Sequence, residues 1–62
     1  MKTREMLDKV VAKGLKIHRT STGWALADAL TGDVIATRST RMEIFAVAEL
    51  AVQDMPYIKK GY

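Results

Sequence analysis

The sequence predicts an α+β fold in the order αβββα: an N-terminal helix, a three-stranded antiparallel sheet and a C-terminal helix. Three observations carry that expectation. Apolar residues recur at helical spacing in the first segment, and in the middle of the chain they alternate with polar ones at the two-residue period of a strand. Near the end, Thr40 followed three residues later by Glu43 forms a capping box immediately ahead of an apolar run.

The first helix is expected over residues 3–13. Met6, Leu7, Val10 and Val11 fall on one side, with Lys2, Glu5, Lys9 and Lys13 on the other. Thr3 is its candidate cap, Arg4 with Asp8 and Glu5 with Lys9 are i,i+4 pairs, and Gly14 supplies a left-handed stop. A first strand follows over 15–20, where Leu15, Ile17 and Arg19 alternate with Lys16, His18 and Thr20. Ser21-Thr22-Gly23 turns the chain into a second strand, 24–29, and Thr31-Gly32-Asp33 turns it into a third, 33–37, whose β-branched start favours extended backbone. The second helix spans 40–54, because Pro56 disfavours helical geometry at Met55, and residues 56–62 form a tail.

A chain of 62 residues has surface enough for one core, so residues 1–62 are read as a single domain. Chains this small gain stability from disulfides, a metal or a second subunit. With no cysteine and His18 as the one histidine, the first two are unavailable and self-association, as a homodimer, remains. No apolar run approaches a membrane span or a signal sequence, so the expectation is a soluble, cytoplasmic protein with no membrane partner. The net charge of +3 is unevenly placed. Residues 1–19 carry six Lys/Arg against Glu5 and Asp8, residues 20–58 are mildly acidic, and Lys59 with Lys60 make the tail basic. Such asymmetry marks either a nucleic-acid surface or a helix solvated by lysines.

Catalytic constellations are excluded by subtraction. A nucleophilic triad needs a base and an orienting carboxylate, and the lone His18 stands beside Lys16 and Arg19 on a strand. No phosphate loop, dinucleotide fingerprint or zinc spacing occurs. Asp28 and Asp33 flank one turn, which suits turn chemistry. The chain is therefore read as non-enzymatic, with no cofactor, no metal and no small-molecule substrate.

What the sequence has in surplus is apolar surface. The natural core stripe of the second helix is Ile44, Val47, Ala48, Ala51 and Met55; Phe45 and Val52 broaden it, and Met42 and Leu50 lie outside it altogether. Alternation directs Trp24, Leu26 and Ile35 toward the helix and leaves Ala25, Ala27, Ala29, Val34 and Ala36 on the opposite face, although pattern alone also permits the reverse facing. Alanine is a poor strand former, so its repetition suggests another surface lying close by. Ala25, Ala27, Ala29, Val34, Ala36, Met42, Phe45 and Leu50 are thus the candidate partner-binding residues, for a protein partner or a second copy. The expected function is a small protein-interaction module, an accessory factor or inhibitor of the kind encoded by phages and mobile elements.

Gly23-Trp24, then Asp28-x-x-Thr31-Gly32, then Ser39-Thr40-x-x-Glu43 opening an alanine-rich helix, resemble the integrase N-terminal (AP2-like) DNA-binding domains over residues 15–52. That resemblance implies a three-stranded sheet backed by one helix, with the sheet face lying in the DNA major groove. It implies Lys16, His18, Arg19 and Arg38 as contact residues, with Lys59 and Lys60 able to contribute, and so gives DNA binding as the alternative function.

Overall fold

In the computed structural model, which describes residues 2–57, α1 (Thr3–Ala12) leads into β1 (Leu15–Thr20), β2 (Gly23–Asp28) and β3 (Val34–Arg38), and α2 (Arg41–Val52) closes the described chain. The αβββα order is the one the sequence predicts. β2 is the central strand and pairs antiparallel with both neighbours. Lys59, Lys60 and the rest of the expected tail beyond Tyr57 lie outside the described residues.

Local chemistry sets the boundaries. Gly14 takes a φ of 79°, the left-handed conformation that stops α1, and its carbonyl accepts from the Ala29 N–H at 2.8 Å. The β2–β3 connection is organised by Asp28, whose Oδ1 accepts from the N–H groups of Leu30 (2.8 Å) and Thr31 (3.0 Å), while Thr31 Oγ1 accepts from Asp33 N–H at 3.2 Å. At the start of α2 the Thr40 hydroxyl accepts from Glu43 N–H at 3.2 Å and donates to Glu43 Oε1 at 2.8 Å. At Gly23 a Cβ would run into the Arg38 carbonyl and Ser39 Cα, so glycine lets the start of β2 press against the β3–α2 corner.

Both helices pack on one face of the sheet. Met6 and Val10 of α1, Leu26 of β2, and Ile44, Ala48 and Val52 of α2 make one buried cluster, with Leu15, Ile17, Trp24 and Phe45 packed around it.

Three local expectations are corrected. Thr3 is the first helical residue, preceded by Lys2 as a cap without a side-chain hydrogen bond. α1 is also rotated: Lys9, placed by periodicity on the outer side, is 7% exposed, whereas Val11 is 74% exposed and Leu7 lies at the rim. The rotation brings the lysine side of α1 toward the end of α2, which has no basic residue in its own last turn. Lys13 Nζ, itself exposed, donates to the Ala51 carbonyl at 2.6 Å, and the buried stem of Lys9 takes the place of an apolar side chain. The third correction concerns β3. Consecutive Leu26 and Ala27 pair with Ala36 and Val34, so Ile35 is an extra residue in a β-bulge. Beyond the bulge the alternation is inverted: Ala36 lies on the Leu26 side, facing the helices, and Ile35 is 58% exposed.

Candidate interaction surfaces

The outer sheet face is built by the register of the three strands. His18 and Thr37 stand opposite Ala25, and Lys16 and Val34 stand opposite Ala27. Ala25 and Ala27 are fully buried, yet both lie outside the core cluster that contains Leu26. A short side chain on a central strand is overhung by taller neighbours on both sides, and that shelters these alanines within the chain itself. Ala29 is not on the face at all, since β2 ends at Asp28 and Ala29 begins the turn. Of the apolar residues that the register leaves on this face, Val34 is the exposed one.

The second surface is the outer side of α2. Ile44, Ala48 and Val52 are buried at i, i+4 and i+8. Two residues earlier in each case, about 200° round a helix of 3.6 residues per turn, stand Met42, Ala46 and Leu50. Met42 is 82% exposed and Leu50 66%. Arg41, Glu43 and Glu49 are the polar residues among the twelve of α2, so the helix is apolar on nearly every side while Met42, Ala46 and Leu50 face water. Phe45, grouped with these residues on sequence grounds, packs against the core under the Arg41 guanidinium, 4.9 Å from its ring centroid.

The cations expected on one sheet face divide between two. Lys16 and His18 flank the sheltered alanines on the outer face. Arg19 and Arg38 belong to the helix-facing side, where they stand on either side of Trp24 in the last row that spans all three strands. The Arg19 guanidinium lies 5.7 Å from the Trp24 ring centroid, and Arg38 Nη1 donates to the Thr37 carbonyl at 2.6 Å. Sequence reasoning missed Arg41 as a member of this group. Its signal was the short spacing from Arg38 across the β3–α2 corner.

A groove of ≈ 470 Å³ runs between α1 and the segment after α2, lined by Val11, Ala12, Met55, Pro56 and Tyr57 with Asp8 and Lys9. Desolvation raises the Tyr57 phenol above its ordinary pKa, and the hydrogen bond it donates to Asp8 Oδ2 at 3.2 Å adds to the shift. Among the described residues no helix is long and apolar enough to cross a membrane. No family model, no curated protein and no solved structure matches this chain.

Proposed function

We propose that this chain is a small protein-interaction module whose contact surface is the outer side of α2, offered to a partner protein or to a second copy. The observation that carries this reading is the exposure of Met42 and Leu50 on a helix that is apolar around most of its circumference. A helix of that composition is ordinarily buried on all sides, and a contiguous exposed apolar strip marks a contact site. Ala46, between the two large residues, leaves room for another backbone to approach. The alanine face of the sheet, the first candidate on sequence grounds, supports the reading less, because the chain shelters Ala25 and Ala27 itself.

The test pairs sedimentation of the purified chain with affinity isolation from its native host, comparing wild type with a Met42→Glu/Leu50→Glu variant. Both positions are exposed, so the variant should fold with stability within about 0.5 kcal/mol of wild type. Loss of self-association or of a specific partner in the variant alone supports the reading. A wild-type chain that is strictly monomeric and isolates nothing that the variant does not isolate sinks it.

A further inference from the structure

We propose that the end of the sheet where β1 and β3 finish and α2 begins is a second, independent site that binds the phosphate backbone of nucleic acid through Arg19, Arg38 and Arg41. Arg19 and Arg38 are exposed and flank Trp24 from the two neighbouring strands, and Arg41 follows Arg38 three residues later round the corner that Gly23 holds tight. Among the described residues their side chains contact two aromatic rings and a backbone carbonyl, none of which neutralises a charge. The acid nearest in sequence, Glu43, accepts hydrogen bonds from the Ser39 and Thr40 hydroxyls as part of the α2 cap. A guanidinium laid on a ring keeps its charge and turns the edge of its N–H fork outward, the geometry that grips phosphate oxygens.

The spread of these groups selects the ligand. Arg19 and Arg38 are separated by two strand spacings, about 10 Å, which is too far for one phosphate group to bridge and suited to successive phosphates along a strand. Trp24 and Phe45 are partly buried in the core and capped by arginines, so bases have little ring surface to stack on. Binding is therefore expected to be indifferent to sequence. The site is distinct from the outer sheet face, where Lys16 and His18 lie.

Trp24 is the one tryptophan of the chain and lies beneath Arg19, so its fluorescence reports on the corner directly. The experiment titrates the full chain with labelled 20-nucleotide single strands and 20-base-pair duplexes at several salt concentrations, following anisotropy and Trp24 emission together. Wild type should bind with a steep salt dependence and a saturable change in emission. Each of Arg19→Gln, Arg38→Gln and Arg41→Gln should flatten the log–log salt slope by about 0.9 for duplex or about 0.7 for single strands, while Lys2→Gln and Lys16→Gln leave it unchanged. Far-UV circular dichroism checks folding; if a glutamine variant fails to fold, Arg19→Lys should keep the slope and alter the Trp24 response. No binding at low salt overturns the proposal. So does a slope that falls with Lys16→Gln and not with the arginine variants, binding without any Trp24 change, or a glutamate-rich peptide that binds as tightly as nucleic acid.

Discussion

Asp28 shows how much a single side chain organises. The backbone N–H of Thr31, then that of Leu30, holds its carboxyl below the usual carboxylate range, because both hydrogen bonds favour the ionised form. A pKa depressed in the folded state contributes stability that is complete above the unfolded value, near 3.8, and is lost as the pH falls through the lower folded value. Asp28→Asn keeps an acceptor oxygen without the charge, so its acid unfolding limb should be flatter than that of wild type below about pH 4, measured by circular dichroism across pH at fixed temperature. Identical limbs would show that the turn gains nothing from ionisation. This role was legible, since an Asp at the head of a Thr-Gly turn has few other uses. The burial of Lys9 was not: periodicity assigns a lysine to water, and the facing of α1 is set by its packing on α2 and β1, which are remote in sequence.

At the scale of elements, α2 separates what local sequence determines from what it does not. Thr40 and Glu43 announce its start, and both hydrogen bonds through the Thr40 hydroxyl are present. Thr40→Ala should cost about 1 kcal/mol, a fall in Tm of about 4–8 °C for a domain of this size, readable by thermal melting; an unchanged Tm would mean that the first turn is held by packing alone. Which side of α2 faces the sheet was also legible, since Ile44 and Ala48 were placed in the core stripe and Met42 and Leu50 outside it. β3 was harder. A bulge inserts one residue into a two-residue period, and every facing beyond it is inverted, so Ile35 and Ala36 exchanged the sides that alternation gave them. Nothing in Val34-Ile35-Ala36-Thr37 marks which residue is the extra one, because the choice is made by pairing with β2.

At the scale of the whole molecule, two helices cover one face of a three-stranded sheet, leaving the outer side of α2 apolar and the exposed Arg19, Arg38 and Arg41 at the end of the sheet where β3 leads into α2. The sequence indicated that apolar surface would be in surplus but distributed it over the sheet as well as the helix. Only a three-dimensional register shows that Ala25 stands between His18 and Thr37 and Ala27 between Lys16 and Val34, and that Arg38 shares the Trp24 side with Arg19. The central claim is that α2 presents the contact surface. It is tested most directly by placing a photo-crosslinking residue at position 42 or 50 and, for comparison, at position 16 or 37 on the outer sheet face, then irradiating in the native host. The prediction is a discrete adduct, either a dimer of the chain or one partner protein, from positions 42 and 50 and none from 16 and 37. Adducts from the sheet positions alone, or none from α2, would contradict it.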